Sequence, residues 1–324
     1  MRTLFPGVLC ALILISFATL TPAQKVRHTK EDVTTIFGHR APDNSLQILL
    51  NSAVSETIKE FESKGLKPDG VAVTAMKLSG LDKPIIASYR GSEKIYPASV
   101  VKMFYMVALH RQLEDGKIKM TPELNRGLSD MITVSSNEAT QYVLDVLTDT
   151  SSGAEKPPKE FEKWAYKRNA VNRYFASLGY TNINVNQKTF CEDAYGVEKQ
   201  FRGPNGVNRN MLTTDATAKL LYQIAMHNTV TKERSIQMLE LMKRDWEKPS
   251  NNPDGKEFIS DALEPGTKLW SKEGWTSKTR HDAAYIETPK GEHFIFVIFT
   301  ENVAAVRGII PGIAKKILDR RGEI

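Results

Sequence analysis

Cysteine is almost absent from this chain of 324 residues, which contains only Cys10 and Cys191. Cys10 lies in an N-terminal segment with the character of a removable leader. The mature chain would then keep one thiol and could form no internal disulfide. A small fold held together by disulfides is therefore excluded, and the remaining ~300 residues are enough to bury a hydrophobic core without cross-links.

Histidine and blocks of like charge are scarce as well. The six histidines form no closely spaced pair, which leaves a zinc hydrolase site without support. The formal net charge is +6, from 44 Lys and Arg against 38 Asp and Glu, and the basic residues are dispersed along the chain. A nucleic-acid-binding tail would concentrate them. We therefore expect no metal, no other cofactor and no nucleic-acid partner.

Long apolar runs are missing beyond the first residues. Arg2, the mostly apolar stretch from Val8 to Leu20 and the small residues around Ala23 predict a secretory signal peptide over residues 1–23. The stretch is short for a membrane span, so an anchored protein is the less favoured alternative. We expect a linker over residues 24–44, no membrane span after cleavage, and a secreted or periplasmic bacterial protein.

Apolar periodicity predicts strands at both ends of the chain and helices in its middle. Helices are predicted over 46–61, 99–113, 125–134, 138–147, 171–178, 215–226, 235–244 and 305–320, and strands over 71–78, 84–89, 267–275, 283–288 and 293–300. The long segment 182–210 is expected to be irregular, either functional or mobile.

This order of elements predicts one mixed α/β (α+β) domain over residues 45–320. An antiparallel sheet flanked by helices would be built from both chain ends, residues 45–95 and 262–320. An all-helical lobe, residues 96–261, would be inserted between them. The active site would then lie between the two lobes.

A serine and a lysine three residues apart, Ser99 and Lys102, begin an apolar segment that predicts a helix. At this spacing the hydroxyl and the amine share one helical face. The Ser99 N–H has no partner within the helix and can face a developing oxyanion. Burial or nearby positive charge lowers a lysine pKa until the amine accepts a proton at neutral pH. The pair is a candidate nucleophile and base, although Ser-x-x-Lys alone is typical of ordinary surface helices too.

The second element is Ser135-Ser136-Asn137, in a short loop between two predicted helices. Its first hydroxyl can relay a proton to a leaving nitrogen, and its carboxamide can bind a substrate amide beside Lys102. Read alone, the same three residues are an ordinary helix N-cap.

The third element is Lys272-Glu273-Gly274, on a predicted strand before Trp275. The lysine would give positive potential beside the nucleophile. The glycine would let a substrate lie against the strand edge. The Trp275 N–H would complete an oxyanion hole.

In this order, the three elements resemble the motifs of the class A serine β-lactamase and penicillin-binding-protein superfamily. The resemblance covers roughly residues 45–320 and includes Leu-Thr-Thr at 212–214 and the strand that begins Arg-His-Asp at Arg280. It implies that Ser99 is the acylated nucleophile and Lys102 its proton acceptor or relay. Ser135 would shuttle a proton with Lys272 nearby.

The resemblance also implies how a substrate is held. Asn137 would hold the acyl amide, and the N–H groups of Ser99 and Trp275 would hold the oxyanion. Gly274 would admit the substrate to the strand edge. Arg280 would bind the substrate carboxylate.

Three features depart from the family pattern. Glu273 stands where a threonine or serine hydroxyl is usual, and its carboxylate would repel an anionic substrate unless paired with Arg280 or Lys278. The alternative register, Lys-Thr-Arg at 278–280, is less favoured because an arginine would obstruct the strand edge. The separation of Ser99 from Ser135 is also shorter than usual, which we attribute to a missing surface segment of the helical lobe.

The third departure concerns deacylation, for which class A enzymes use a glutamate on the loop after the helical lobe. Glu192 is the candidate for this base, and a solvated loop residue is an equal alternative. We expect its neighbour Cys191 to be buried rather than reactive.

We therefore expect a monomeric serine hydrolase that acts on a small molecule and hydrolyses the amide of a β-lactam. A D-alanyl-D-alanine peptidase or related esterase with slow deacylation is the first alternative, motivated by the uncertain glutamate. A non-catalytic binding or sensor domain on the same fold is the second, motivated by Glu273.

Overall fold

The computed structural model describes residues 45–79, 83–248 and 258–324. The predicted signal peptide (1–23), the predicted linker (24–44) and residues 80–82 and 249–257 lie outside the described residues. Within the described ranges, no helix combines the length and the apolar character that a membrane crossing needs.

The helices lie mostly in the middle of the chain, with one near each end of the described part. They are α1 (Ser45–Phe61), α2 (Lys102–Glu114), α3 (Pro122–Thr133), α4 (Asn137–Thr148), α5 (Pro158–Arg168), α6 (Ala170–Ser177), α7 (Gly196–Arg202), α8 (Thr214–Ala225), α9 (Lys232–Met242) and α10 (Ile309–Asp319).

The strands form one antiparallel sheet in the order β2-β1-β6-β5-β4-β3. They are β1 (Val71–Ser79), β2 (Lys83–Tyr89), β3 (Lys243–Arg244), β4 (Lys268–Trp275), β5 (Thr279–Glu287) and β6 (His293–Glu301). Strands from both ends of the chain therefore meet at the β1–β6 pair, where Val73 lies opposite Ile298. The predicted fold class, a mixed domain with an antiparallel sheet built from both chain ends, is confirmed.

The sheet is buried on both faces, which divides the core into two layers. One layer lies between the sheet and the helices of the middle segment, and the other lies between the sheet and the terminal helices α1 and α10. Successive residues of β6 alternate between them: Phe294, Phe296 and Ile298 face the terminal helices, and Ile295, Val297 and Phe299 face the middle helices. A strand that is buried on both faces has consecutive apolar residues, and β6 shows this pattern.

Helix α2 is the central helix of the middle segment. Every residue from Lys102 to His110 is buried, so the helix is covered all around rather than along one stripe. Fully burying a large apolar side chain stabilises a fold by about 1.5–3 kcal/mol, so this helix is held firmly in place. The residues just before this helix, and those in its first turn, are therefore held in place as well.

The predicted elements agree with the observed ones within a few residues, apart from four differences. The two residues of strand β3 were predicted as the end of a helix over 235–244. Helix α5 was not predicted, because its sequence is dominated by charge and only Trp164 and Arg168 are buried. Helix α7 lies inside the segment 182–210, which was predicted to be irregular throughout. Ser99 lies in a 3-10 turn, Ala98–Val101, and the α-helix begins only at Lys102.

Candidate active site

Ser99 lies in the 3-10 turn that leads into α2. The first backbone hydrogen bond of this turn is donated by Val100 to the carbonyl of Pro97 (3.1 Å). The Ser99 N–H comes before it and is therefore left without an acceptor inside the turn. Ala98 has a φ of 45°, a left-handed conformation that a non-glycine residue adopts only when its surroundings impose it.

The surroundings of this turn include a buried histidine of β5. His281 Nδ1 accepts a hydrogen bond from the Thr300 N–H (3.1 Å), so Nε2 carries the proton and donates to the carbonyl of Tyr96 (2.8 Å). Burial lowers the pKa of His281 to about 4, which keeps the ring neutral in this role. His281 thus positions the segment that leads to Ser99, a role that the sequence analysis did not assign.

Strand β4 packs directly against the same turn at Gly274. A Cβ at this position would lie 2.7 Å from Ser99 N, 2.8 Å from Pro97 O and 2.9 Å from Val100 N. No side chain fits there, because all three atoms belong to backbone. The close approach explains the glycine and brings the edge of β4 alongside the Ser99 N–H.

The amine of Lys102 is fully buried and surrounded by the Ser135-Ser136-Asn137 loop. Its Nζ lies 2.6 Å from Ser135 O, 3.2 Å from Ser135 Oγ and 2.9 Å from Asn137 Oδ1. Ser135 has a φ of 59°, a left-handed turn that aims both its oxygens at the amine. Ser136 caps α4 by accepting from the Ala139 N–H (3.0 Å), so the predicted N-cap is present beside the predicted site.

The protonation state of Lys102 is set by its surroundings. Burial, and then the positive charge of Lys272, lowers the pKa of Lys102 to about 7. A substantial fraction of the amine is therefore neutral at physiological pH. Ser135 O and Asn137 Oδ1 can only accept hydrogen bonds, so in the neutral state the Ser135 hydroxyl is the group that donates to Nζ.

Lys272 is also fully buried, on β4, and its amine is held by the next residue. Nζ lies 2.8 Å from the Glu273 carbonyl and 3.3 Å from Glu273 Oε1. Burial lowers the pKa of Lys272. Its charge influences Lys102, whereas its hydrogen bonds go to Glu273 and not to Ser135.

The segment 182–210 is anchored firmly to the helices. Asn210 Oδ1 accepts from the N–H groups of Asn186 (3.0 Å) and Gln187 (2.9 Å), and Tyr105 of α2 donates to the carbonyl of Gln187 (2.6 Å). Residues 186 to 189 are buried. The loop residues that follow residue 189 are therefore held in defined positions as well.

Two adjacent residues of this loop face different surroundings. Glu192 is exposed and lines a small cavity with Tyr96, Arg202 and Arg209. Cys191 places its Sγ 3.4 Å from Asn137 Nδ2, on the amide whose oxygen contacts Lys102. Among the described residues, no hydrogen bond or ion pair joins Glu192 to Ser99, Lys102 or Asn137. Cys191 is exposed, so the expectation that its thiol is buried was wrong, because the loop turns this residue toward the cleft.

A buried ion-pair cluster, which sequence analysis did not identify, ties this loop to the helices. Arg168 binds Glu198 of α7 through two hydrogen bonds, Nη1 to Oε2 (2.7 Å) and Nη2 to Oε1 (2.8 Å). Nη2 also contacts Asp145 Oδ1 (3.1 Å), whose other oxygen accepts from Lys188 Nζ (2.6 Å). Arg168 and Glu198 are fully buried. The partners come from four separate segments, so no local pattern points to them.

The remaining predicted residues lie at the end of β4 and the start of β5. Trp275 is half exposed and lies opposite Arg280 in the strand register. Arg280 is buried, and its guanidinium lies 3.9 Å from the ring centre of Phe258, in the layer of the terminal helices. The structure therefore does not present this guanidinium on the surface of the cleft.

Comparisons with known proteins agree with this architecture. The chain superposes on a beta-lactamase from Sphaerobacter thermophilus with a TM-score of 0.63 at 21% identity, covering 84% of this chain and 98% of the other. It superposes on a beta-lactamase from Chitinophaga pinensis with a TM-score of 0.60 at 17% identity, covering 86% of this chain and 100% of the other. For the protein PBP-A the TM-score is 0.59 at 16% identity, and the match covers 88% of this chain and 100% of PBP-A. At these identities the likeness shows the fold. No curated protein matches the chain.

The family assignment rests on the sequence. The model of the beta-lactamase enzyme family matches residues 53–320, which span the sheet, the middle helices and all three motifs. With a matching fold and a match over most of its length, the chain belongs to the beta-lactamase enzyme family.

Proposed function

We propose that this protein is a serine hydrolase that is acylated at Ser99 by the carbonyl of a β-lactam amide. The observation that carries the proposal is the buried Lys102 amine, with a pKa of about 7 and in contact with Ser135 and Asn137. A neutral buried amine one helical turn from a serine is suited to take its proton.

The acylation step follows from these positions. Ser99 Oγ attacks the carbonyl carbon while its proton passes to Lys102. The oxyanion is held by the N–H groups of Ser99 and Trp275 at the close approach of Gly274. The C–N bond then breaks, and the proton reaches the leaving nitrogen from Lys102 through Ser135 Oγ, 3.2 Å from the amine. Asn137 holds the acyl amide.

A D-alanyl-D-alanine peptidase or esterase with slow deacylation is the second candidate, and one observation favours it. Deacylation of an ester needs a base that activates water, and the loop residue beside Asn137 is Cys191 rather than Glu192. We therefore expect the acyl-enzyme, once formed, to clear slowly. Export and a monomeric state remain predictions.

Intact-protein mass spectrometry with benzylpenicillin, sampled from seconds to hours, tests acylation. We expect an adduct of one penicillin mass that persists for at least minutes, and none on Ser99→Ala. An adduct that clears while penicillin is consumed would identify an efficient β-lactamase instead. If wild type and Ser99→Ala behave alike, Ser99 is not the nucleophile.

Cys191→Glu is expected to shorten the lifetime of this adduct by at least about tenfold. The substitution places a carboxylate beside Asn137 and the Lys102 amine, where it can take a proton from water, and a positioned general base typically contributes 10²–10⁴-fold. The adduct lifetime is measured by mass spectrometry after removal of free penicillin. Cys191→Gln is the matched control, because it has the same length and no basic group. Equal lifetimes for the two variants would contradict a role for this position in deacylation.

A further inference from the structure

The edge of β4 beside Ser99 is open for a substrate. Among the described residues, strand β3 pairs only with Leu269 and Trp270, so the following residues of β4 have no strand neighbour on that side there. Gly274 brings this edge against the Ser99 turn. Glu273 and Trp275 flank the contact and share one face of the strand, because side chains alternate along it. The Glu273 carboxylate nevertheless lies close enough to the Lys102 amine to influence its pKa, so it stands beside the proposed nucleophile, where a substrate would meet it.

The cations near Glu273 are already engaged within the protein. Lys272 Nζ is fully buried and donates to the carbonyl and the carboxylate of Glu273. Arg244 lies 4.0 Å from Glu273 Oε2, and its guanidinium donates to the carbonyls of Ser271 (2.7 Å) and Ile132 (3.1 Å). Both positive groups therefore point into the protein.

The carboxylate of Glu273 is the most exposed of these three charges. Its side chain is 26% exposed, against 18% for Arg244 and 0% for Lys272. Burial alone would raise the pKa of Glu273, but Lys272 and Arg244 together hold it below its usual value of 4.5. The group is thus an anion at neutral pH.

On the neighbouring strand, the residue opposite Glu273 is a carboxyl group and not a cation. Asp282 lies opposite Glu273 in the register, and burial raises the pKa of this carboxyl to about 7. Arg280, two residues earlier on the same face, is buried with its guanidinium against Phe258.

We propose that Glu273 makes this subsite prefer acyl donors whose leaving group is neutral or cationic over those, such as a penicillin, whose leaving group carries a carboxylate. The proposal rests on the proposed acylation of Ser99 and specifies its substrate class. Such donors include carboxamides, esters of uncharged alcohols and donors with a quaternary or primary ammonium. Two unit charges several ångströms apart near a protein surface change a rate by about tenfold.

Three thioesters of one hippuric acid acyl group test the charge preference directly. Their leaving groups are thioglycolate (anionic), thioglycolamide (neutral) and thiocholine (cationic). Ser99 Oγ forms an ester as the C–S bond breaks, and the proton from Ser99 leaves on the thiol. Released thiol is measured by chromatography with mass detection, since a thiol reagent would also modify the exposed Cys191.

For the wild type we expect kcat/KM to rise by about tenfold from thioglycolate to thioglycolamide and to remain as high or higher for thiocholine. The differences should shrink as salt is added, because exposed charges are screened. In Glu273→Gln the order should reverse, since Lys272 and Arg244 are then uncompensated. Glu287→Gln is the matched control, because it removes a similarly exposed carboxylate from Lys268 on the same two strands.

Two measurements separate this proposal from the proposed function. A fluorophosphonate is uncharged before it reacts, and Ser99 Oγ displaces its fluoride to form a phosphonate ester, so absence of labelling would contradict Ser99 as the nucleophile. Binding of the three thioesters to Ser99→Ala, measured by calorimetry, reads the charge preference without any acylation. The proposal is overturned if thioglycolate is equal or preferred in the wild type, or if Glu273→Gln keeps the wild-type order in both assays.

Discussion

Replacing Lys102 by methionine is expected to lower the rate constant for acylation of Ser99 by at least about a thousandfold. The amine is the only basic group in contact with the Ser135-Ser136-Asn137 loop among the residues that the structure describes. Methionine has a similar shape and is apolar, so the fully buried site is refilled without a base. The rate constant is measured as fluorophosphonate labelling of Ser99, followed by mass spectrometry.

The pH dependence of the wild type is part of the same prediction. Only the neutral amine accepts a proton, and burial lowers the pKa of Lys102 to about 7. Acylation should therefore be slow at pH 5.5, rise about tenfold per pH unit below 7 and level off above it. Lys102→Met should lose this rise. A profile that is flat between pH 5.5 and 8.5 would show that Lys102 does not act as the base.

Lys219 provides a matched control on α8. Burial also lowers its pKa, to about 8, and its amine lies 4.1 Å from the ring centre of Tyr180. Lys219→Met removes a half-buried lysine without touching the Lys102 contacts. It should keep the acylation rate and its pH profile within about twofold, which separates loss of the base from general destabilisation.

The residues that sequence analysis grouped by motif lie together for local reasons. Ser99 and Lys102 are three residues apart in helical structure, and the short loop between α3 and α4 carries Ser135 and Asn137 to the same place. Each of these placements depends on spacing within one element, which a sequence displays directly. Gly274 was identified in the same way, and the structure supplies the reason for it in the backbone of the Ser99 turn.

The deacylation residue could not be predicted in this way. Cys191 and Glu192 are adjacent in a loop without a repeating period, so the choice of which one faces Asn137 depends on how the loop is anchored. The position of the Arg280 guanidinium could not be predicted for a related reason. The alternation of β5 fixes its face of the sheet, but the covering residue, Phe258, follows a segment with no recognisable pattern.

The second prediction with a large effect concerns Arg168, which anchors the loop over residues 182–210. Arg168→Met is expected to lower the free energy of unfolding by about 3–5 kcal/mol, because it leaves the fully buried Glu198 carboxylate without its principal partner. Lys188, at 3.4 Å, and the Ser152 hydroxyl, at 2.9 Å, remain as weaker contacts. Domains are stable by only ~5–15 kcal/mol, so this is a large fraction of the total. Urea unfolding followed by circular dichroism gives the value.

The double variant Arg168→Met, Glu198→Leu tests whether the loss of stability comes from the unpaired charge of Glu198. Removing both members replaces a buried ion pair with apolar side chains, which is often far less destabilising than removing one. Asp145 and Lys188 keep their own pair at 2.6 Å. We expect the double variant to recover at least ~1 kcal/mol relative to Arg168→Met, with an unchanged slope of free energy against urea. If the losses of stability caused by Arg168→Met and by Glu198→Leu simply add in the double variant, Arg168 does not act by neutralising Glu198. It then stabilises the fold by packing on Trp164, where its guanidinium lies 4.3 Å from the ring centre.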